Sequence, residues 1–210
     1  IYGNESFLKT KIRLIFLKLA NDILLYEKNA KKILLEYGFQ PDSLHVVFNS
    51  LDYYSQKQIF NELSKQNEIK SSVRNIIFMG RLTKVKKLDM LIKTVIKLNR
   101  SNILYNLKLI GDGPEKERLK ELSIEGIRKN YITFYGSVYN EEEIGAHIFN
   151  SDLCVSPGNV GLTCIHSLTY GTPVCTHSNA KNQMPEFEAI VEGVNGILFK
   201  EDDVDDLEFK

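Results

Sequence analysis

The stretch 75–98 reads NIIFMGRLTKVKKLDMLIKTVIKL, and it contains a strand pattern, a turn and a helix pattern in that order. Asn75–Met79 is a short apolar run that ends at Gly80, and apolar residues recur at helical spacing over Leu88–Leu98. Four cations within seven residues lie in the loop between them: Arg81, Lys84, Lys86 and Lys87. The stretch therefore predicts a strand–loop–helix unit whose loop is strongly basic.

The same alternation continues on the C-terminal side of this unit. Short apolar runs predict further strands over Asn106–Ile110, Tyr131–Tyr135, Leu153–Val155, Val174–Thr176 and Gly196–Phe199. Helical patterns lie between several of them, including Glu141–Asn150 and Leu162–Tyr170. Strands that alternate with helices form parallel βαβ units, and apolar strands are typical of sheets covered on both faces. We expect an α/β fold with a Rossmann-like parallel sheet flanked by helices.

Residues 1–74 have the pattern helix, strand, helix, strand, helix, followed by a polar linker over Gln66–Arg74. The helices are predicted over Phe7–Leu19, Asn29–Tyr37 and Tyr53–Lys65, and the strands over Asp22–Tyr26 and Leu44–Phe48. Regular alternation begins only at Asn75, so the predicted division is between 1–74 and 75–210. The first residue is Ile rather than Met and no signal peptide pattern is present, so we expect a piece of a longer protein.

The composition argues against several functional classes. The 210 residues carry 27 Lys+Arg and 27 Asp+Glu, and this net charge of zero argues against a general nucleic-acid binder. No apolar run approaches the ~20 residues that a membrane-spanning helix needs. The three cysteines form no disulfide framework, which fits a reduced, cytoplasmic setting. Cys164-x-His166 and Cys175-x-His177 resemble metal-ligand pairs, but the helical position of the first pair disfavours a metal, and buried structural cysteines are the preferred interpretation.

Three loops at the carboxyl ends of predicted strands carry candidate binding residues, because ligands of open parallel sheets bind at that edge. The loop Gly80–Lys87 is either a solvated loop or an anion clamp in which Arg81 and Lys86 hold a phosphate. Gly111-Asp112-Gly113 either lets the backbone approach a ligand or forms a plain turn. The loop Ser156–Thr163 offers free N–H groups at a helix start, which favour an anion. Together the first and third loops predict a diphosphate held from two sides.

Five motifs, spread in order over roughly 75–200, make the sequence resemble a known enzyme family. They are Gly80-Arg81-Leu82 with Lys86, Gly111-Asp112-Gly113-Pro114-Glu115, Phe134-Tyr135-Gly136, Gly161-Leu162 with Gly171-Thr172-Pro173-Val174, and Gly193-x-Asn195-Gly196-Ile197-Leu198. Each motif is weak alone, and the ordered set is specific. The chain resembles the C-terminal, donor-binding part of the retaining glycosyltransferases of family 4, which have the two-domain GT-B fold. The earlier run Leu44–Asp52 is similar to the family's strand that ends in N-G-V-D.

The resemblance implies that residues 1–74 are the end of the N-terminal GT-B domain with the interdomain linker, and that residues 75–210 bind the nucleotide-sugar donor. It implies a hexosyltransferase-type enzyme that moves a sugar from a UDP- or GDP-sugar to a glycan or lipid-linked acceptor, in bacterial surface polysaccharide or lipopolysaccharide biosynthesis. The implied location is the cytoplasm or the inner face of its membrane, with peripheral membrane contact allowed. No cofactor, metal or nucleic-acid partner is expected. This fragment alone is expected to bind a donor rather than to catalyse transfer.

The resemblance also assigns roles to individual residues. Arg81 and Lys86 are the expected catalytic residues, since they would stabilise the charge that grows on the diphosphate leaving group. The expected donor-binding residues are Gly80, Gly111, Gly113, Ser137, Val138, Gly158, Asn159, Gly161, Leu162, Thr163, His166 and Glu186. Within this set, the backbone around Ser137-Val138 is expected to contact the base.

One pair of positions departs from the family pattern. The family usually has a glutamate at each, the first holding the donor sugar and the second the ribose, whereas this chain has Gly158 and His166. His166 either hydrogen-bonds a ribose hydroxyl or has no ligand role. Asn159 and Glu186 are the candidates to supply the missing sugar contacts. The departure keeps two alternatives open: a related GT-B nucleotide-sugar epimerase, and a non-catalytic nucleotide-sugar-binding module.

Overall fold

The computed structural model describes residues 6–65, 72–102 and 104–210. Its first part is a small α/β unit. It contains α1 (Phe7–Leu17), β1 (Ile23–Leu25), α2 (Lys28–Glu36), β2 (Leu44–Val46) and α3 (Tyr53–Leu63). The strands β1 and β2 pair in parallel. Leu34 of α2 joins Ile23, Leu25 and Leu44 of the strands in a small core. The residues after β1 and β2 face the second part of the molecule.

A six-stranded sheet forms the second part. Its strands are β3 (Arg74–Met79), β4 (Tyr105–Ile110), β5 (Ile132–Gly136), β6 (Leu153–Ser156), β7 (Val174–His177) and β8 (Gly196–Phe199). Their order is β5-β4-β3-β6-β7-β8, and each neighbouring pair is parallel. The direction of the strand order reverses between β3 and β6. In open parallel sheets, the carboxyl ends of the strands at such a reversal form the ligand-binding crevice.

Helices cover both faces of this sheet. They are α4 (Leu88–Leu98), α5 (Lys116–Leu122), α6 (Ile124–Arg128), α7 (Glu141–Phe149), α8 (Thr163–Thr169) and α9 (Val204–Phe209). Because successive strand side chains point to opposite faces, Ile76 and Phe78 of β3 pack in one core with α4 and α9, and Ile77 and Met79 pack in another with α7 and α8. The prediction of an α/β fold with a parallel sheet flanked by helices is confirmed.

Helix α3 packs against the second part of the molecule. Its side chains Ile59, Phe60 and Leu63 join the core beneath α7 and α8, and the Phe60 and Phe149 rings meet edge to face with centroids 5.7 Å apart. The predicted division at residue 74 lies after this helix and stays a prediction. The linker predicted over Gln66–Arg74 lies mostly outside the described residues.

Two details differ from the sequence pattern. The fifth strand runs over Ile132–Gly136 rather than Tyr131–Tyr135. In α1, Leu14 and Leu17 pack against the small core, whereas Phe7 and Phe16 are exposed. No helix among the described residues is both long enough and apolar enough to span a membrane.

Candidate functional site

Glycines bring the loops after β3 and β4 into direct contact. Gly80 and Gly111 have φ angles of +142° and +134°, which side chains rarely allow. A Cβ on Gly111 would lie 1.9 Å from the carbonyl oxygen of Gly80, and one on Gly113 would lie 2.4 Å from that of Leu82. The Leu82 N–H donates to the Asp112 carbonyl at 2.9 Å. The glycines of both motifs are therefore needed for the two loops to touch.

These loops form one wall of a groove with a volume of about 530 Å³ at the carboxyl edge of the sheet. Its lining residues are Met79, Gly80, Arg81, Ile110, Gly111, Asp112, Gly113, Ser137, Val138, Tyr139 and Ile144. Six of the predicted site residues thus lie together. The sequence interpretation missed Tyr139 and Ile144, although Tyr139 directly follows the predicted Ser137-Val138 contact and Ile144 is on the first turn of α7.

Arg81 differs from the other cations of its loop. Its side chain is exposed and lines the groove, and it has no hydrogen-bond or ion-pair partner among the described residues. Lys87, in contrast, pairs with Glu201 and Asp202 at 3.1 and 2.6 Å. Arg81 is therefore a free guanidinium at the switch point of the sheet, where an anion with two oxygens would find a bidentate partner.

Lys86 lies away from the groove lining and contacts the loop after β6. Its ammonium donates to the carbonyl and the side-chain oxygen of Asn159 at 2.7 and 2.9 Å. Burial lowers the pKa of Lys86, and the negative charge of Glu186 only partly offsets this effect. Two of the three ammonium N–H groups are used in these bonds, so one donor remains for a ligand.

The start of α8 lies beside the end of β3. The Thr163 hydroxyl donates to the Met79 carbonyl at 2.8 Å. The Val160 N–H donates to the Gln183 side chain at 2.7 Å. A Cβ on Gly161 would lie 3.0 Å from the sulfur of Met184. Of the predicted residues here, Gly161 is buried and Leu162 is exposed.

The family described as "Glycosyl transferases group 1" matches residues 59–210, which include all of these loops. The chain belongs to the group 1 glycosyltransferases. It is 27% identical over 176 residues to an uncharacterized 41.2 kDa protein in the cps region of Klebsiella pneumoniae, covering 82% of this chain and 46% of that protein. It is 25% identical over 204 residues to the uncharacterized glycosyltransferase MJ1069 of Methanocaldococcus jannaschii, covering 95% of this chain and 50% of that protein. The chain thus spans half or less of the length of these relatives.

Solved glycosyltransferases share the fold. The lipopolysaccharide outer core galactosyltransferase WaaB superposes with a TM-score of 0.69 at 19% identity, covering 90% of this chain and 51% of WaaB. HepE of Anabaena, solved in complex with UDP and glucose, superposes with a TM-score of 0.68 at 17% identity, covering 98% of this chain and 56% of HepE. These neighbours show that the chain has the architecture of GT-B glycosyltransferases.

Packing requires a glycine at position 158 of this chain, where the family resemblance would lead one to expect a glutamate. The Gly158 N–H donates to the Lys86 carbonyl at 3.0 Å, and a Cβ on Gly158 would lie 1.9 Å from the carbonyl oxygen of Val85. The loop after β6 therefore lies directly on the loop after β3. Any side chain at this position, including a glutamate, meets backbone.

Glu186 is a buried carboxylate in the segment between β7 and β8. Its Oε1 accepts a hydrogen bond from the Asn49 amide at 2.7 Å, and its Oε2 is buried without a partner among the described residues. Asn49 follows β2, so this contact joins the first part of the molecule to the second. A second contact does the same, because Glu188 accepts hydrogen bonds from the N–H groups of Lys28 and Asn29 at the start of α2. The sequence interpretation missed Asn49 and Glu188, whose partners are more than 130 positions away.

His166 does have a carboxylate partner, but that carboxylate comes from another helix. Its Nε2 lies 2.7 Å from Oε1 of Glu141, at the start of α7. The same oxygen accepts a hydrogen bond from the Tyr170 hydroxyl at 2.8 Å. Sequence reasoning missed Glu141, since 25 residues separate it from His166.

The three cysteines of the chain are buried and free of disulfides. Burial raises the pKa of Cys154 to about 11 and the pKa values of Cys164 and Cys175 to about 12. Thiols with such pKa values are poor metal ligands at neutral pH. The described part of the chain contains no group of three or more His, Cys, Asp or Glu residues that could hold a metal ion.

Proposed function

We propose that this chain is the donor-binding part of a retaining, family 4 glycosyltransferase. The proposed reaction transfers a sugar, in the first place a hexose, from a UDP- or GDP-sugar to a glycan or lipid-linked acceptor. The proposed pathway is bacterial surface polysaccharide or lipopolysaccharide synthesis, in the cytoplasm or at the inner face of its membrane. The relative in a cps region and the galactosyltransferase WaaB support this setting.

One observation carries the proposal: the unpaired Arg81 guanidinium lies in a groove at the sheet's switch point, beside two glycine loops. In the proposed reaction, the bond between the anomeric carbon and the diphosphate oxygen breaks, and its electron pair stays on the diphosphate. Arg81, with the remaining ammonium donor of Lys86, stabilises that charge. The role of a divalent cation is thereby taken by side chains, so EDTA is expected to leave diphosphate binding unchanged.

Calorimetric titration of the chain with UDP and with GDP tests the proposal. We expect one of the two to bind, and Arg81→Ala to weaken that binding at least about tenfold, since a bidentate charge-assisted contact contributes about 1.5–3 kcal/mol. Lys84→Ala is the matched control, because Lys84 is an exposed cation of the same loop that lines a different groove. Absence of binding to both diphosphates, or equal effects of the two substitutions, would contradict the proposal.

Product analysis separates transfer from the two alternatives. The full-length enzyme with a nucleotide-sugar donor and a lipid-linked acceptor pool is expected to release diphosphate only when acceptor is present. An altered nucleotide sugar from donor alone indicates an epimerase. Binding without turnover indicates a non-catalytic module, which the blocked position of Gly158 favours.

A further inference from the structure

Helix α2, in the first part of the molecule, lacks a cap of its own. Glu27 precedes its first residue, but the Glu27 side chain makes no hydrogen bond to the helix start. The first turn carries no acidic residue and begins with a cation, Lys28, which the positive end of a helix disfavours. The first N–H groups of α2 therefore need an acceptor from elsewhere in the chain.

Glu188, 160 positions after Lys28, supplies that acceptor from the second part of the molecule. Its Oε2 accepts a hydrogen bond from the Lys28 N–H at 2.9 Å, and its Oε1 accepts one from the Asn29 N–H at 2.8 Å. Both oxygens of one carboxylate are used at one helix start, where the helix dipole favours a negative charge. The start of α2 is therefore capped only while the two parts are in contact.

A neighbouring carboxylate makes the same crossing between the two parts. Glu186 Oε1 accepts a hydrogen bond from the side-chain amide of Asn49, which follows β2, at 2.7 Å. Residues 183–188, which lie between β7 and β8, thus hold the first part of the molecule at two points. We call residues 183–188 the brace.

The other end of the brace holds the loop after β6. Gln183 is buried, and its Oε1 accepts a hydrogen bond from the Val160 N–H at 2.7 Å. The Gln183 side-chain amide donates to β7 at 2.9 and 2.8 Å, which fixes the side chain in this orientation. The sulfur of Met184 lies 3.0 Å from the Cβ position of Gly161. The brace therefore packs directly on the residues that follow Asn159.

One peptide group connects the brace to Lys86. The Asn159 carbonyl accepts a hydrogen bond from the Lys86 ammonium at 2.7 Å, and the Val160 N–H donates to Gln183. This carbonyl and this N–H belong to the same peptide bond, which is planar and rigid. A rotation of the peptide would weaken both hydrogen bonds together. A displacement of Gln183 therefore displaces the carbonyl that holds Lys86.

We propose that Glu188 is a positioning residue for Lys86. Its carboxylate caps α2 and thereby holds the brace in place, and the brace holds the Asn159–Val160 peptide against the Lys86 ammonium. Glu188 is exposed and is not among the residues that line the groove, so it acts through Lys86 rather than on a ligand. The inference rests on the proposed function, because Lys86 is a diphosphate-binding residue there. It adds a link between the contact of the two parts and the groove.

Calorimetric titration of Glu188→Gln tests this inference. The substitution keeps the size of the side chain, removes its charge and leaves one acceptor oxygen for two N–H groups. We expect the variant chain to bind UDP or GDP about threefold to tenfold more weakly than wild type. Glu192→Gln is the matched control, because Glu192 is a half-exposed glutamate of the same β7–β8 connection, and it should leave the affinity unchanged. Equal affinities of wild type and Glu188→Gln would overturn the inference.

Double variants separate positioning of Lys86 from a general loss of structure. When Lys86→Ala is already present, Glu188→Gln should cause no further loss of diphosphate affinity, because the group that it positions is absent. When Arg81→Ala is already present, Glu188→Gln should cause its full loss, because Arg81 does not contact the brace. An equal loss in both backgrounds would show that Glu188 acts on the fold as a whole, which would overturn the inference.

Amide NMR of the chain gives a readout that needs no ligand. In Glu188→Gln, the amide signals of Lys28 and Asn29 should shift because they lose a carboxylate partner, and the Val160 amide should shift as well. All three signals should stay in place in Glu192→Gln. Shifts confined to Lys28 and Asn29 would overturn the inference. Absence of binding to both diphosphates would instead overturn the proposed function, whereas the Val160 signal decides by itself whether the brace transmits the contact.

Discussion

The two walls of the groove are built by different means. On the wall formed after β3 and β4, backbone meets backbone, and Gly111 and Gly113 are required by contacts of 1.9 and 2.4 Å. On the other wall, formed by the loop after β5 and the start of α7, side chains line the groove, and Glu141 at the start of α7 pairs with His166 of α8. Backbone packing this close requires glycine at particular chain positions. A carboxylate partner for His166, in contrast, can be supplied by a neighbouring helix. The first wall therefore matches the family motifs and the second departs from them.

The largest effect is expected on the backbone-built wall. Gly111→Ala places a Cβ 1.9 Å from a carbonyl oxygen at a φ of +134°, so both a clash and backbone strain result. We expect the free energy of unfolding to fall by about 3–5 kcal/mol. Urea denaturation measures this loss of unfolding free energy. Gly136→Ala is the control, because Gly136 has a φ of +74° but no atom within 4 Å of its Cβ position, so its substitution adds strain without a clash. Equal costs for the two variants would show that the loops separate readily.

A smaller effect is expected where the loop after β6 lies on the loop after β3. Gly158→Glu restores the family's glutamate in sequence, but its Cβ meets the Val85 carbonyl at 1.9 Å. We expect a loss of about 2–3 kcal/mol in unfolding free energy and no gain in affinity for UDP- or GDP-sugars. Gly158→Ala should cost nearly as much, since the clash begins at Cβ. Tighter donor binding by a stable Gly158→Glu protein would mean that the loop after β6 can open for a carboxylate.

The difference between local backbone features and long-range side-chain partners also determines how much of the structure the sequence could predict. The parallel sheet and four of the predicted groove residues, Gly80, Arg81, Gly111 and Gly113, follow from local signals, because each strand and glycine turn is encoded within a few neighbouring residues. Ser137 and Val138 were expected from the family resemblance. The partners of His166, Glu186 and the start of α2 could not be predicted, because Glu141, Asn49 and Glu188 become neighbours only through the topology. Asn49 nevertheless lies in Leu44–Asp52, the run whose similarity to the family's strand is visible in the sequence and which contains β2.

The cations of the basic loop show the same limit. The sequence treats Arg81, Lys86 and Lys87 as one cluster, whereas each has a different environment in the fold. Arg81 is unpaired, Lys86 holds Asn159 at 2.7 and 2.9 Å, and Lys87 is bound to Glu201 and Asp202. The composition gives the number of charges, but their pairing depends on distant residues: Asn159 lies 73 positions after Lys86, and Glu201 lies 114 positions after Lys87.

The smallest effect on stability is expected for the ion pair between Lys87 and Glu201, and this effect should depend on pH. Burial alone would raise the pKa of Glu201, but hydrogen bonds from Asn179, Asn182 and Lys87 outweigh burial and lower the pKa to about 2. In the unfolded chain a glutamate carboxyl has a pKa of about 4.3. Because the pKa is lower in the folded chain, the ionised carboxylate stabilises the fold at pH values above about 4.3. This stabilisation should be lost as the pH falls from about 5 toward 2. Glu201→Gln should thus reduce the free energy of unfolding by about 1 kcal/mol at pH 7, and progressively less below pH 4.

Substitution of Lys87, which pairs with Glu201 and Asp202, complements the Arg81 experiment. Lys87→Ala should lower stability at pH 7 and leave UDP or GDP affinity unchanged, whereas Arg81→Ala should do the reverse, because of these two cations it is Lys87 that is paired within the described residues and Arg81 that lines the groove. Thermal unfolding between pH 2 and 8, together with calorimetric titration, measures both properties on each protein. Parallel stability–pH curves for wild type and Glu201→Gln would show that the carboxylate is not held by these donors. A loss of diphosphate affinity in Lys87→Ala as large as that in Arg81→Ala would remove the distinction between a cation that binds and a cation that supports the loop.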